Sequence, residues 1–224
     1  MEEDKILKNS KSIFLIPIFY VLSIWFIYWV EIYFNFNFNK FGVFPRDLVG
    51  LRGVFFMHFI HNDTSHLFNN SVPLFVLLLS LFYFYKSSAY KVLFFGGIIS
   101  GFLTWCIARD SYHIGASGIV YLLFSFVFFS GIIRKHYRLV ALSLIIIFLY
   151  GSMIWYVLPI KDGMSWEGHL SGFLVGFFYA IYFRNKGIVR EEYLFKETEF
   201  DLLFDENGEY APPKVEEELE EKSN

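Results

Sequence analysis

The segment HIGASGIVY, residues 113–121, places a serine between small residues at the point where a loop becomes a long apolar segment. Small residues beside Ser117 would let a second helix and a peptide backbone come close. A serine in an apolar helix usually bonds back to its own helix, so Ser117 alone indicates little. A histidine, His169, begins a later apolar segment at the same depth. We therefore interpret Ser117 and His169 as a nucleophile and its base inside a membrane.

The remaining sequence predicts that the chain is an all-α polytopic membrane protein. Of its 224 residues, 55% are hydrophobic and 18% are charged, against about 25% charged in an ordinary soluble domain. The apolar residues form runs of roughly 18–22, long enough to cross a hydrocarbon core of about 30 Å. Six transmembrane helices are expected, at residues 13–30, 65–85, 92–108, 116–133, 139–158 and 166–183.

These spans divide the chain into three parts. Residues 1–12 are a polar N-terminal segment, residues 13–186 hold the six-helix domain with a long outer loop at 31–64, and residues 187–224 form an acidic tail predicted to be disordered. Eleven Lys and Arg residues lie on the side of the N-terminus, against five on the other side. Cytoplasmic loops carry the excess of Lys and Arg, so both termini are expected in the cytoplasm. Chain length and topology, by analogy, favour a bacterial plasma membrane over an organelle.

Four polar residues from separate spans are predicted to share one depth near the outer surface. His66 and Asn70 begin the second span, Ser117 the fourth and His169 the sixth, and these three spans all begin on the outer side. An imidazole that accepts the serine proton would activate the hydroxyl. The Ser117 backbone N–H, His66 and Asn70 could stabilise a developing oxyanion. Glu167 is two residues from His169 and points elsewhere on the helix, so a dyad is expected.

These residues resemble those of the rhomboid intramembrane serine proteases. The family's Gly-x-Ser-Gly matches residues 115–118, its His-x4-His-Leu-x-x-Asn matches residues 61–70, and its His-x-x-Gly-x-x-x-Gly matches residues 169–176. Each motif is weak alone, but the three lie in the right order on alternate spans. The resemblance covers spans two to six and implies a rhomboid-like bundle that acts as a serine-type endopeptidase.

The resemblance also implies a role for each site residue. Ser117 would be the nucleophile and His169 the general base, with His66 and Asn70 at the oxyanion. Tyr121 would pack against the His169 ring. The glycines would serve close packing at the site; they are Gly115, Gly118 and Gly172. The substrates would be transmembrane segments of other proteins, cut near the outer face of the bilayer.

Other histidines are given plainer roles. His61 is expected to hold the loop, whereas His58, His113 and His136 are expected near the surface, His113 close enough to the nucleophile to be of interest. A metal site of His61, His66 and His169 is disfavoured because no carboxylate or thiolate joins them. No cofactor is expected, and the net charge of −3, carried by the tail, suggests no nucleic-acid partner.

Two other functions stay open. A catalytically silent rhomboid-like binder or chaperone of transmembrane segments would keep the fold, although such a protein would more often have lost the serine or the histidine. A small-solute transporter would need charged residues near the bilayer midplane or discontinuous helices. Neither of these transporter features is clear in the sequence. The protease is therefore favoured.

Overall fold

A computed structural model describes residues 11–160, 163–188, 198 and 200–211. Six helices dominate it, which we label α1 to α6 in chain order. They are α1 Ser12–Tyr33, α2 Thr64–Phe84, α3 Ala89–Ile107, α4 Ser117–Arg134, α5 Tyr137–Tyr150 and α6 Trp166–Tyr182. The described residues contain no strand beyond isolated bridges, so the predicted all-α architecture is confirmed.

Five described segments are long and apolar enough to cross a membrane: Ile13–Tyr33, Thr64–Phe84, Ala89–Ile107, Ser117–Arg134 and Tyr137–Val157. The fifth span changes character along its length, because α5 is followed by a 3₁₀ helix at Gly151–Val157. The sixth predicted span is present as α6, whose 17 residues are one fewer than the shortest of the five. The count of six membrane crossings therefore stays a prediction.

Helix α4 lies at the centre of the bundle and packs most closely on α6. A Cβ atom added at Gly172 of α6 would lie 2.0 Å from the carbonyl oxygen of Gly118 on α4, and one added at Gly176 would lie 2.2 Å from that of Leu122. Backbones can approach this closely only where both residues lack bulk. The glycines at positions 172 and 176 thus set the contact between the two helices on which Ser117 and His169 lie.

The opposite end of the α4–α6 pair is fastened by Arg134, the last residue of α4. Its side chain is buried, and its Nη2 donates a 2.7 Å hydrogen bond to the carbonyl of Phe183 just after α6. The same guanidinium lies 5.0 Å from the centre of the Tyr85 ring. Carbonyls at a helix end need partners and favour positive charge. Arg134 supplies both to α6.

The long loop predicted at residues 31–64 covers residues 34–63, because α1 continues to Tyr33 and α2 begins at Thr64. It contains short helices at Asn39–Phe41, Gly50–Arg52, Gly53–Phe56 and Met57–Phe59. The loop is fixed to α3, since a Cβ atom at Gly101 would lie 2.4 Å from the carbonyl oxygen of Val54. It is also fixed to the segment before α4 by an antiparallel bridge between Val43 and His113.

The predicted N-terminal segment and acidic tail lie mostly outside the described residues. The chain separates into two units, Met1–Arg190 and Glu191–Asn224. In the second unit, described residues form a 3₁₀ helix at Asp201–Leu203 and a bridge between Phe204 and Tyr210. The expected disorder of the tail is a prediction that these few residues do not test.

Candidate active site

A cavity of about 600 Å³ opens at the end of the bundle where α2, α4 and α6 begin. Residues from all three helix starts line it, together with residues from the 3₁₀ helix after α5. Its lining includes Ser117, His169, His66, Asn70 and Tyr121. The structure thus brings together, in one water-accessible space, the five non-glycine residues that the sequence singled out.

Ser117 is the first residue of α4 and follows a loop that the surrounding chain holds in place. The backbone N–H of Gly115 donates to the carbonyl of Met57 at 2.8 Å, and that of Ala116 donates to Nε2 of His61 at 3.3 Å. Burial, with the nearby His66 as a smaller cause, lowers the pKa of His61 to about 3. His61 is therefore neutral and can accept this bond, which agrees with the structural role expected for it.

The imidazole of His169 is held on two sides. Its ring stacks on that of Tyr121, with ring centres 4.2 Å apart and planes inclined by 12°. Its Nδ1 lies 2.9 Å from the carbonyl oxygen of Tyr156, and because a carbonyl can only accept, Nδ1 carries the proton. In the neutral ring Nε2 is then the unprotonated nitrogen. His169 is thus fixed as the tautomer that a general base needs.

The Tyr121 ring that supports His169 is itself held in place. Its hydroxyl donates to the carbonyl of Met153 at 2.8 Å. Met153 and Tyr156 both belong to the 3₁₀ helix Gly151–Val157. This segment, predicted as the continuation of a regular span, therefore orients both the His169 imidazole and the aromatic ring on which it stacks.

Ser117 and His169 line the same cavity without a direct hydrogen bond between their side chains in the part of the chain that is described. Catalytic hydrogen bonds are often long before substrate binds and shorten in the Michaelis complex. The distance between the two side chains depends on the spacing of α4 and α6 at this end of the bundle.

His66 and Asn70 lie on one face at the start of α2. Asp63 caps this helix, accepting a 2.8 Å hydrogen bond from the backbone N–H of His66. The Asn70 side-chain nitrogen donates to the carbonyl of His66 at 3.1 Å. The His66 ring meets that of His61 edge-on at 5.0 Å. Both side chains face the cavity, where donors to an oxyanion would be required.

Three buried polar residues beside the site were not given a role in the chemistry from the sequence. His113 is buried, and so is His58, which contradicts their expected surface positions. Glu167 is 2% exposed and faces Arg109 instead of the cavity: its Oε1 lies 3.3 Å from the Arg109 backbone nitrogen and 3.4 Å from its guanidinium. Polar residues in or next to loops are ordinarily exposed. The hydrogen-bond partners of His113 and Glu167 lie more than fifty residues away along the chain, so local sequence did not indicate their burial.

A metal ion has no evident place in the described residues, where no three or more His, Cys, Asp or Glu side chains converge. The arrangement instead combines a hydroxyl, an imidazole of fixed tautomer and polar groups on the facing helix. Such a set can support attack of the hydroxyl on a carbonyl carbon and stabilise the resulting oxyanion.

A comparison with protein families finds that the Rhomboid domain matches residues 50–186, more than half of the chain. This chain belongs to the rhomboid family. The match begins in the long loop and includes helices α2 to α6. Every residue that lines the cavity therefore lies within the family domain.

Curated relatives of this rhomboid-family chain occur in mycobacteria. An uncharacterized protein of Mycobacterium bovis is 33% identical over 150 residues, which is 60% of this chain and 60% of the relative. A protein of Mycobacterium tuberculosis, also uncharacterized, matches with the same values. One of Mycobacterium leprae is 29% identical over 136 residues, covering 56% of this chain and 53% of the relative. The chain thus spans about 60% or less of the length of these relatives.

Proposed function

We propose that this rhomboid-family chain is an intramembrane serine endopeptidase that uses Ser117 and His169 as a dyad. The observation that most supports the proposal is that both residues line one cavity while a backbone carbonyl fixes the His169 proton on Nδ1. Nε2 can then accept the serine proton. Family membership alone would leave the activity open, so the argument depends on these two side chains.

The proposed reaction proceeds through an acyl-enzyme. The Ser117 oxygen attacks the carbonyl carbon of a peptide bond, while Nε2 of His169 takes the hydroxyl proton. The Ser117 backbone N–H, His66 and Asn70 stabilise the oxyanion. When the C–N bond breaks, His169 gives its proton to the leaving amine. A water molecule, deprotonated by His169, then hydrolyses the ester and restores Ser117.

The proposed substrates are transmembrane segments of other membrane proteins. A helix in lipid satisfies its own backbone hydrogen bonds, so it must unwind locally before a peptide bond can reach Ser117. The distribution of Lys and Arg favours an orientation with both termini in the cytoplasm, and chain length and topology favour a bacterial plasma membrane. This orientation puts the cavity near the outer face, where water is available for hydrolysis.

A fluorophosphonate probe and a cleavable transmembrane reporter test the proposal. We expect Ser117 to be labelled, and Ser117→Ala and His169→Ala to abolish reporter cleavage in a protein that remains folded. Ser130→Ala is the matched control, because Ser130 is another buried serine of α4 that does not line the cavity. Near-normal cleavage by either dyad variant would overturn the proposal. Binding of transmembrane segments by a wild-type protein that the probe cannot label would favour the binder or chaperone instead.

A further inference from the structure

Two polar contacts join the loop before α4 to the start of α6. Nδ1 of His113 lies 2.6 Å from the hydroxyl oxygen of Ser165. Oε1 of Glu167 accepts from the backbone N–H of Arg109 at 3.3 Å and lies 3.4 Å from its guanidinium. We call these two contacts, His113–Ser165 and Arg109–Glu167, the tether.

One contact of the tether, His113–Ser165, lies at equal sequence distances from the two proposed catalytic residues. His113 precedes Ser117 by four residues, and Ser165 precedes His169 by four residues. The four residues after Ser165 form about one turn of helix, a rise of roughly 6 Å. A change in the distance between His113 and Ser165 would therefore change the distance between the Ser117 and His169 side chains.

Ser165 occupies a position where its hydroxyl would normally serve its own helix. It is the N-cap residue of α6, and serine is favoured there because its oxygen accepts from the first free backbone N–H groups. Here the Ser165 side chain makes no such cap bond. Its hydroxyl is directed to His113 instead. The bond across the two segments has replaced the local one.

One arrangement of protons gives both nitrogens of the neutral His113 ring a partner. Nε2 lies 3.0 Å from the carbonyl oxygen of Arg109 and 3.3 Å from the hydroxyl oxygen of Ser111. When Nε2 donates to the carbonyl, which can only accept, Nδ1 accepts from Ser165. Burial lowers the pKa of His113, which keeps the ring neutral. The backbone of His113 is also paired with Val43, so the loop is fixed before it meets α6.

Glu167 adds a second, charged contact at a cost to stability. The residue is 2% exposed, and its other oxygen, Oε2, has no hydrogen-bond partner among the described residues. A buried carboxylate with an unpaired oxygen contributes little to stability. Glu167 does, however, hold α6 against Arg109. The Nη2 of Arg109 also donates to the carbonyl of Met164 at 2.6 Å.

From these contacts we propose that the tether positions the catalytic dyad, setting the separation and rotation of His169 relative to Ser117. The inference rests on the proposed function. Packing of Gly172 on Gly118 fixes how closely the two helices approach. The first turn of α6 precedes that contact and meets α4 less closely, since a Cβ atom at Gly118 would lie 3.6 Å from the carbonyl oxygen of Gly168. The tether fixes this turn. His113, Ser165 and Glu167 are thus positioning residues that act through His169, although Ser165 also lines the cavity.

Two substitutions at His113 separate the tether from the local fold. Asparagine places an amide group where Nδ1 stood and can still bond Ser165, whereas glutamine places it where Nε2 stood and retains only the bond to Arg109. We expect His113→Gln to lower kcat by about 10²-fold with KM unchanged, since a misplacement of about 1 Å can cost that much. The rate of fluorophosphonate labelling should fall in parallel, while His113→Asn should stay close to the wild type.

Ser165 provides an independent pair with a coupling measurement. Ser165→Ala should resemble His113→Gln, and Ser165→Thr, which keeps the hydroxyl, should restore the rate. The double variant of His113→Gln and Ser165→Ala should be no slower than either single variant, because both remove the same bond. All variants are measured in the full chain, with thermal unfolding in detergent as the test of folding.

The outcomes are distinguishable from those of the proposed function. A wild-type protein that neither cleaves the reporter nor reacts with the probe refutes the proposed function, and the tether with it. An active wild type with His113→Gln and Ser165→Ala at wild-type rates refutes the tether alone, as does equal loss in His113→Asn and His113→Gln. If the His113 variants do not fold, the Ser165 pair decides: equal rates in Ser165→Ala and Ser165→Thr overturn the proposal.

Discussion

The imidazole of His66 occupies the space that a side chain at Gly115 would need. A Cβ atom built on Gly115 would lie 2.8 Å from both Cε1 and Nε2 of His66. Gly115 also has a φ of +116°, a conformation that residues with a side chain rarely adopt. The glycine is therefore required twice, once by its backbone and once by the histidine that lies against it, on the loop that leads into Ser117.

Gly115→Ala should consequently impair activity more than folding. The substitution strains the backbone by about 1–3 kcal/mol and displaces His66 from the position proposed for an oxyanion donor. Loss of one such donor typically costs about 10²–10³ in rate. The measurement is reporter turnover together with the thermal unfolding midpoint.

Gly208→Ala is the matched control for this experiment. Gly208 also has a positive φ, +79°, but a Cβ atom there would meet nothing within 4 Å. The Gly208→Ala variant should carry a similar backbone strain but retain wild-type reporter turnover. Wild-type turnover in Gly115→Ala would contradict the role given to the His66 contact.

The stack of Tyr121 on His169 leads to a second prediction. Tyr121→Phe keeps the ring and loses only the hydroxyl bond to Met153, a contribution of about 1 kcal/mol. Tyr121→Ala removes the surface on which the imidazole lies. We expect a small effect of the first change on kcat and a loss of about 10²-fold from the second, because the base is no longer oriented. Equal kcat values in the two variants would show that the stack does not orient His169.

The sequence was sufficient for those features that depend on local pattern. Runs of apolar residues predicted the ends of the long helices to within a few residues, except that α5 ends at Tyr150 and continues as a 3₁₀ helix. The positions of Ser117, His66 and His169 predicted that they lie at the starts of three helices at one end of the bundle. The family resemblance inferred from the three motifs is confirmed by the match over residues 50–186. The helix prediction needs only the apolar pattern along the chain, and the resemblance depends on the three motifs in their order.

Features that depend on distant contacts were not predictable in the same way. The short helices between Asn39 and Phe59 have no periodic signal, and the loop is shaped by close approaches such as Gly53 against Gly42, where an added Cβ atom would lie 2.2 Å from backbone atoms. His113 was expected at the surface because it lies in a loop. It is buried by Val43 on one side and Ser165 on the other, seventy residues before and fifty-two after along the chain.

Asp63 gives a third prediction, on the start of α2. Its carboxylate accepts from the backbone N–H of His66, so Asp63→Ala should destabilise the protein by about 1 kcal/mol and loosen the first turn of the helix. Asp63→Asn keeps an accepting oxygen and should have little effect on stability. A comparison of the two variants by thermal unfolding measures the cap, and reporter turnover shows whether His66 depends on it. The same unfolding midpoint in both variants would exclude a capping role.

The fourth prediction concerns the glycine contact between α4 and α6. An added Cβ atom at Gly172 would lie 2.0 Å from the Gly118 carbonyl oxygen. This oxygen belongs to the helix backbone, so it cannot move away by a side-chain rotation. Gly172→Ala must therefore move α6 away from α4, at a cost of about 1–3 kcal/mol for overpacking. Because His169 moves with α6, we expect turnover to fall by about 10²-fold or more even where the variant remains folded.

Gly97→Ala on α3 is the control that makes the result specific. Gly97 is also buried in the bundle, but an added Cβ atom would lie 3.5 Å from its nearest neighbour, an ordinary contact. It should leave both the unfolding midpoint and turnover near the wild type. Suppose that Gly172→Ala loses stability but retains wild-type turnover. The spacing of α4 and α6 would then not govern the reaction. A Ser117–His169 dyad held by that spacing could not account for catalysis.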